Sequence, residues 1–214
     1  MERSKIELEK YSIYFLYIIF AVGVIGHVIN STKSLMLSLT PFTLLLANIV
    51  VIIPHFRNKH TKVIGWIAVV YILTLLLEII GVKTGLIFGS YNYGNVLGFQ
   101  VFDVPLIIGF NWTIISLSIA VILMDLKTNI FVKSLFAGIM AVLLDFFIEP
   151  IAIHLDYWTW SGGAIPIQNY IAWFIISFGA VLAILLIKTN LKNKVASHYY
   201  FIQLAFFILL NLFI

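Results

Sequence analysis

The 214-residue sequence contains no cysteine and few charged residues. Without cysteine the chain can form no disulfide bond and can use no thiolate as a nucleophile or metal ligand. Charged residues make up 10% of the sequence and hydrophobic residues 62%, against about 25% and about 45–50% in soluble domains. The shortage of charge predicts an integral membrane protein, and the absence of a long linker predicts one domain over residues 1–214.

Several catalytic signatures are also missing. The five histidines are too few for the clustered ligands of a membrane di-iron enzyme, and there is no zinc-binding H-E-x-x-H helix or glycine-rich phosphate loop. No serine lies in a nucleophile elbow, and the last apolar run has no lysine for a retinal Schiff base. We therefore expect no metal and no cofactor. The net charge of +4 comes from short loops between apolar runs, which indicates no nucleic-acid partner.

Long apolar runs dominate what is present. A transmembrane helix needs roughly 17–25 residues, and seven runs approach or reach that length: Tyr11–Ile29, Leu35–Ile53, Val63–Ile80, Val104–Met124, Ile130–Ile153, Ile167–Ile187 and Tyr199–Ile214. The last is short enough to be a re-entrant or interfacial segment instead. The pattern predicts an all-α fold, a polytopic transmembrane helix bundle of about seven spans surrounded by membrane lipid.

Basic residues predict how the bundle is oriented. Eleven of the 13 lysines and arginines lie in the N-terminal tail and in the second, fourth and sixth loops, and only Lys33 and Lys83 lie on the other side. The positive-inside rule places the N-terminus in the cytoplasm. We expect a multi-pass protein of a prokaryotic cytoplasmic membrane.

Three carboxyl groups lie within the apolar runs. Asp145 and Glu149 are four residues apart and share one helical face, and Pro150 should kink or end that helix. Glu78 ends a polar stripe of the third run. Ionisable groups within membrane helices are uncommon and mark functional sites. We expect Asp145, Glu149 and Glu78 to line one cavity in the outer half of the bundle.

Polar and aromatic side chains from other segments fall at a similar depth. Each has an alternative structural explanation, because aromatic rings form interfacial belts and amides join helices by hydrogen bonds. Taken together they predict the binding surface of the cavity, with two long outer loops above it. The candidate binding residues are His27, Tyr91, Asp103, Asn111, Trp112, Trp158, Trp160, Asn169 and Trp173.

Carboxyl groups beside aromatic rings permit two kinds of chemistry. A buried protonated carboxyl acts as a general acid, and aromatic faces stabilise a cation once it has formed. This set suits protonation of an alkene and capture of the carbocation by water, on a substrate that lives in the bilayer. It also suits proton-coupled transport.

Motifs between about residues 70 and 180 carry a resemblance to a known family. The chain resembles the integral-membrane carotenoid biosynthesis proteins, which include bisanhydrobacterioruberin hydratase and related carotenoid 1,2-hydratases. The motifs are Glu78-Ile-Ile-Gly81-Val-Lys-Thr84-Gly85, Phe88-Gly89-Ser-Tyr91-Asn-Tyr93, Val104-Pro105 with Trp112, Asp145-Phe-Phe-Ile-Glu149-Pro150, Trp158-Thr-Trp160 and Ile165-Pro166-Ile-Gln-Asn169-Tyr-Ile-Ala-Trp173. The resemblance implies addition of water to a terminal double bond of an acyclic carotenoid, without a redox cofactor.

These observations favour a carotenoid hydratase. Asp145 is the expected general acid because it lies deeper than Glu149. Glu149 should stay ionised and position or deprotonate the attacking water, and Glu78 should hydrogen-bond one of these two carboxyls or orient that water. A carotenoid end-group cyclase remains the nearest alternative, since it would begin with the same protonation. A proton-coupled transporter or a carotenoid-binding membrane protein remains the alternative from another class.

Overall fold

The structure is a computed structural model that describes residues 2–214, with the surroundings of side chains from residue 7 onward. It contains seven α-helices, each long and apolar enough to cross a membrane. Their bounds are α1 Glu2–Val28, α2 Asn30–Arg57, α3 Thr61–Thr84, α4 Leu106–Leu123, α5 Ile130–His154, α6 Ile167–Leu186 and α7 Lys194–Phe213. The predicted all-α transmembrane bundle is confirmed.

Most helix boundaries differ by a few residues from the predicted runs, and two of them answer questions that the sequence left open. Helix α7 begins at Lys194, five residues before the apolar run, and its 20 residues are enough for a span. Helix α5 continues through Pro150 to His154, so it does not end at the proline. Proline removes the hydrogen bond to the residue four positions earlier and crowds that residue's carbonyl group, but here one further helical turn follows it.

Helix α4 occupies the centre of the bundle. Of its 18 residues, 15 are buried, and it packs against α2, α3, α5, α6 and α7. The outer helices instead expose large apolar side chains along one face, such as Phe42, Val69 and Ile175. In a bilayer such faces contact lipid, whereas small and polar residues face neighbouring helices. The central position of α4 gives the bundle an enclosed interior.

Two long loops lie at the same end of the bundle and pair with each other. They contain four short strands, β1 Tyr91–Tyr93, β2 Gln100–Val101, β3 Val104–Pro105 and β4 Trp158–Trp160. Strands β2 and β3 form a hairpin, and β1 pairs with β4 in an antiparallel ribbon in which Tyr91 lies opposite Trp160. We call this the β1–β4 ribbon, and we call the end of the bundle that it covers the motif end.

The basic loops lie at the opposite end, because successive helices alternate in direction. Reporter fusions after Lys62 and after Gly163 should therefore report opposite sides of the membrane, with the fusion after Lys62 in the cytoplasm. Agreement of both fusions on the cytoplasmic side would contradict the orientation. The charges of Arg3 and Lys5, which also support it, lie outside the described side chains.

Candidate active site

Two carboxyl groups of α5 lie side by side in the interior of the bundle. Asp145 and Glu149 project from one face of the helix, about 40° apart, and each is 1% exposed. Asn169, near the start of α6, joins them. Its Nδ2 donates to Oδ2 of Asp145 at 2.7 Å and to Oε1 of Glu149 at 2.9 Å. One amide group thus fixes the spacing of the two carboxyls.

The β1–β4 ribbon covers these groups with one of its faces. Successive side chains of a strand point to opposite faces, so alternate residues share a face. The outward residues, Asn92 and Thr159, are exposed. The inward face carries four rings with a hydrogen-bond donor: Tyr91, Tyr93, Trp158 and Trp160. The alternation in Tyr-x-Tyr and Trp-x-Trp therefore directs four donors into the bundle.

The two tryptophans of the ribbon donate to Glu149. Nε1 of Trp158 lies 3.0 Å from Oε2 of Glu149, and Nε1 of Trp160 lies 2.8 Å from the same oxygen. Together with Asn169, they give Glu149 three donors. Such donors stabilise the ionised form of a carboxyl group.

The two tyrosines donate to Glu78 of α3, which is 2% exposed. Both hydroxyls reach Oε2 of Glu78, that of Tyr93 at 2.8 Å. Burial, and next the charge of Glu78, raises the pKa of Tyr91 and Tyr93 well above the ordinary value. Both hydroxyls therefore keep their protons near neutral pH and remain donors.

Two glycines allow the ribbon to lie this close. A Cβ atom on Gly94, just after β1, would lie 2.1 Å from the carbonyl oxygen of Asp156, just before β4. A Cβ on Gly81 of α3 would lie 2.5 Å from the ring of Phe88. Real Cβ contacts are longer, so any larger residue would push the ribbon or Phe88 away from the carboxyls.

Aromatic rings form the other wall of the site. Trp112 of α4 and Trp173 of α6 are stacked, with ring centroids 3.8 Å apart and planes 16° apart. Phe88 packs on Trp173 at 5.1 Å, and Tyr91 packs on Trp160 at 4.9 Å. These rings present π faces, which attract positive charge.

The carboxyls and rings enclose a small cavity near the motif end. It offers a volume of about 20 Å³ to the centre of a water molecule, which is room for one water. Its twelve lining residues include no lysine, arginine or histidine. They are Glu78, Phe88, Tyr91, Tyr93, Ile108, Trp112, Asp145, Glu149, Trp158, Trp160, Asn169 and Trp173.

Hydrogen bonds leave one oxygen free on two of the three carboxyls. Among the described residues, none donates to Oδ1 of Asp145 or to Oε1 of Glu78, whereas both oxygens of Glu149 accept. Glu149 has three donors, Glu78 has two and Asp145 has one. The protein therefore stabilises a negative charge best on Glu149 and least on Asp145.

Nine of the twelve candidate site residues from the sequence meet at this cavity. They include all three carboxyls, which the helical phase had placed on inward faces. The other six are Tyr91, Trp112, Trp158, Trp160, Asn169 and Trp173. Helical periodicity, together with depth, thus brought most of the site together in the prediction.

Asn111 was expected on the wall of this cavity, and that position is wrong. A single helical step turns a side chain by about 100°, so Asn111 faces away from the direction of Trp112. Its Oδ1 accepts from the hydroxyl of Tyr199 at 3.0 Å and from Nε2 of Gln203 at 2.8 Å, both on α7. Asn111 therefore links α4 to α7 by hydrogen bonds.

His27 and Asp103 also lie away from the cavity, which corrects their expected positions. His27 lies in the wall of a separate groove, because α1 packs against α2 and α7 and forms no part of the cavity wall. Asp103 is exposed in the turn between β2 and β3, with a φ of 68°. A similar depth along the membrane normal did not fix the direction in which these side chains point.

Three lining residues were absent from the predicted set: Phe88, Tyr93 and Ile108. Tyr93 could have been found, because it is two residues from Tyr91 and strand periodicity places both on one face. Ile108 is four residues from Trp112 on α4, so the helical repeat also points to it. No periodicity identifies Phe88, which lies in a loop; its place at the start of a family motif was the one sequence signal for it.

Comparison with known proteins gives the family. Residues 39–214 match the family described as carotenoid biosynthesis protein, and this range contains the whole cavity. No curated protein and no solved structure matches the chain. The match confirms the resemblance that the sequence motifs carry. The chain is a multi-pass membrane protein with a role in carotenoid biosynthesis, and it belongs to the carotenoid biosynthesis protein family.

Proposed function

We propose that the protein is a carotenoid hydratase that adds water to a terminal carbon–carbon double bond of an acyclic carotenoid. One observation carries the proposal: three buried carboxyls with unequal hydrogen bonding line a cavity with room for one water and an aromatic wall. Acid, water site and cation-stabilising surface are the parts that hydration of an alkene requires.

Asp145 is the proposed general acid. Its Oδ2 accepts from Asn169, while Oδ1 has no donor among the described residues, so a proton on Oδ1 faces no competing donor. An unpaired charge is disfavoured inside a membrane protein, and Asp145 has the fewest donors of the three. Transfer of the Oδ1 proton to the terminal CH carbon leaves a tertiary carbocation on the neighbouring carbon and a carboxylate on Asp145.

The hydrogen bonds favour roles for Glu149 and Glu78 that differ from those expected from the sequence. Both oxygens of Glu149 are engaged by three donors, so Glu149 serves as the fixed anion that holds the ribbon in place. Glu78 has the free oxygen, and we assign the water to its Oε1. Water attacks the cation and loses a proton to Glu78, and return of that proton to Asp145 completes the addition of one water.

The aromatic wall would face the cation. The stacked pair Trp112 and Trp173 offers a flat surface that stabilises positive charge without forming a bond to it. A volume of about 20 Å³ admits one water but not an isopropylidene end group. Binding of the carotenoid therefore requires that side chains of the wall move. Phe88 is one side chain that could move, because it lies in a loop and packs against Trp173 at the edge of the Trp112–Trp173 stack.

A carotenoid end-group cyclase would use the same acid and the same wall. It would differ in the second step, because an internal double bond would capture the cation and no water would be needed. Space for one water in the cavity that Glu78 lines favours hydration over cyclisation. The remaining alternatives, a transporter or a carotenoid-binding protein, predict no change in the pigment.

Expression of the chain in a lycopene-producing host tests the proposal. Mass analysis of the extracted pigments should show products heavier than lycopene by one water. An isomer of unchanged mass would instead identify a cyclase, and unchanged lycopene at normal protein levels would count against enzyme activity on this end group. A host that makes an acyclic C50 carotenoid should be assayed in parallel, because the site restricts the end group and not the chain length.

A further inference from the structure

Helices α3, α4, α5 and α6 surround the cavity, and most of the interfaces between them are closed by the helices themselves. Oγ1 of Thr74 on α3 donates to the carbonyl oxygen of Gly109 on α4 at 3.1 Å. A Cβ on Gly109 would lie 3.2 Å from the backbone nitrogen of Leu75, so these two backbones are in close contact. Helices α5 and α6 are also tightly packed, since a Cβ on Gly138 would lie 2.6 Å from the ring of Phe174. Helix α7 packs against both α4 and α5 and covers that side.

The interface between α3 and α6 is different, because these two helices pack together much less than α3 and α4 or α5 and α6 do. Away from the motif end, Nε1 of Trp66 joins them by donating to the carbonyl oxygen of Ala180 at 3.0 Å. Nearer the motif end, the ring of Phe88 lies between them. A Cβ on Gly81 of α3 would lie 2.5 Å from this ring, and on the other side the ring packs on Trp173 of α6 at 5.1 Å. A loop side chain therefore fills this space, which we call the α3–α6 gap.

The loop that carries this ring has a glycine on each side of it. Gly85 and Gly89 have φ values of 67° and 102°, which glycine adopts without strain. The segment between them is tied to α6, because Nε2 of Gln168 donates to the carbonyl oxygen of Leu86. The apolar side chains beside this tie are exposed, Leu86 to 76% and Ile167 to 72%. Exposed apolar side chains of a membrane protein contact lipid, so the α3–α6 gap lies on a side of the bundle that faces the bilayer.

We propose that the carotenoid enters the site from the bilayer between α3 and α6, and that its terminal isoprene unit displaces the ring of Phe88 from the α3–α6 gap. This proposal rests on the proposed hydration, since it assigns the route of that substrate. A benzyl side chain and an isoprene unit are both apolar and similar in size, so one can replace the other. In the place of the ring, the isoprene unit would lie against Trp173 and beside Tyr91, whose hydroxyl donates to Glu78. The size of Phe88 would thus select an acyclic end group over a bulkier cyclic one.

Thiol labelling tests this route without any catalysis. The chain has no cysteine, so Ile108→Cys introduces a single thiol into the cavity wall. The full chain in phosphatidylcholine nanodiscs is treated with N-ethylmaleimide, which enters the bilayer, and mass spectrometry gives the labelling rate. Because burial of a phenylalanine ring is what keeps the gap closed, Phe88→Ala should raise this rate by about 10- to 100-fold. Equal rates with and without the ring would overturn the proposal.

Phe20→Ala is the matched control for the loss of a buried ring. Phe20 is also buried, but it packs on Phe206 at 5.4 Å, between α1 and α7 and away from the cavity. This variant should leave the labelling rate unchanged, and a rise equal to that of Phe88→Ala would refute a specific role of the Phe88 ring. A sulfonated maleimide, which stays in water, should label the Phe88→Ala variant slowly. Equally fast labelling by this reagent would place the entrance at the water-facing loops and refute the route through the bilayer.

Two further variants keep the test decisive if Phe88→Ala fails to fold. Phe88→Leu should raise the labelling rate by a smaller factor. Gly81→Ala adds a methyl group that the ring must avoid, so it should raise the rate in a chain that has Phe88. The same change should add nothing once Phe88 is alanine, because the two residues are in contact. An equal effect of Gly81→Ala in both backgrounds would contradict the position of the ring in the α3–α6 gap.

Kinetics with lycopene separates this proposal from the proposed function. The end group must displace the ring, which lowers its apparent affinity, so Phe88→Ala should lower KM rather than raise kcat. An unchanged or higher KM would refute displacement of the ring by the substrate. If the ring controls labelling but the unaltered chain hydrates no carotenoid, the proposed function fails on its own. If the chain hydrates lycopene but labelling does not depend on Phe88, the entry route fails and the proposed function stands.

Discussion

Replacement of Asp145 by asparagine should lower the rate of hydration by about 10²–10⁴-fold, the usual effect of removing a general acid. Asparagine keeps the shape of the side chain, and its amide oxygen can still accept from Asn169. The variant should therefore insert and fold while it accumulates unhydrated carotenoid. The measurement is the ratio of hydrated to unhydrated pigment in a lycopene-producing host, normalised to the amount of protein in the membrane.

Asp156→Asn is the matched control for this substitution. Asp156 carries the same side chain in the loop that follows α5, but it is exposed and makes no contact with the cavity. Its φ of 58° lies in a region that asparagine adopts readily. The control should hydrate normally. Near-normal turnover by Asp145→Asn, together with loss of activity in Glu78→Gln, would move the acid from α5 to α3.

The helices and the carboxyl cluster were predictable because their signals are local. Run length identifies a membrane span, and the four-residue spacing of Asp145 and Glu149 fixes their common face without knowledge of any neighbour. The charge penalty in hydrocarbon then requires that face to point inward. The sequence therefore predicts an acidic face that points into the bundle, even though it does not show which residues of other helices pack against that face.

The ribbon and the groove were not predictable because they depend on long-range pairing. Tyr91 and Trp160 are 69 residues apart in the sequence. Strand periodicity shows which side chains of a short strand share a face, but not which distant segment the strand pairs with. His27 has the depth of the site but belongs to a helix on another side of the bundle. Hydropathy gives depth, whereas the direction of a side chain around the bundle follows from helix packing.

Glu149→Gln should reduce both activity and stability. The carboxylate of Glu149 accepts hydrogen bonds from the β1–β4 ribbon, and it also carries a negative charge in the proposed site. Its oxygens accept three hydrogen bonds, two at Oε2 and one at Oε1. Glutamine replaces one oxygen by an NH₂ group, which donates and cannot accept. Either Nδ2 of Asn169 or the two indole N–H groups of the tryptophans would then face this NH₂ group and lose their acceptor. Each donor left unpaired in a buried site costs about 1–3 kcal/mol. We expect a lower Tm and, because a fixed charge of the site is lost, a fall in hydration of about 10²-fold.

Two companion variants separate the charge of Glu149 from its hydrogen bonds. Trp160→Phe removes one donor but keeps the carboxylate, so it should lower the Tm with a smaller loss of activity. Asp103→Asn removes an exposed carboxylate at the motif end and should change neither quantity. If Glu149→Gln retains the Tm and the pigment ratio of the unaltered chain, the ribbon does not depend on this carboxyl. If Trp160→Phe lowers activity as far as Glu149→Gln does, the position of the ribbon limits hydration, and the charge on Glu149 has no separate part in it.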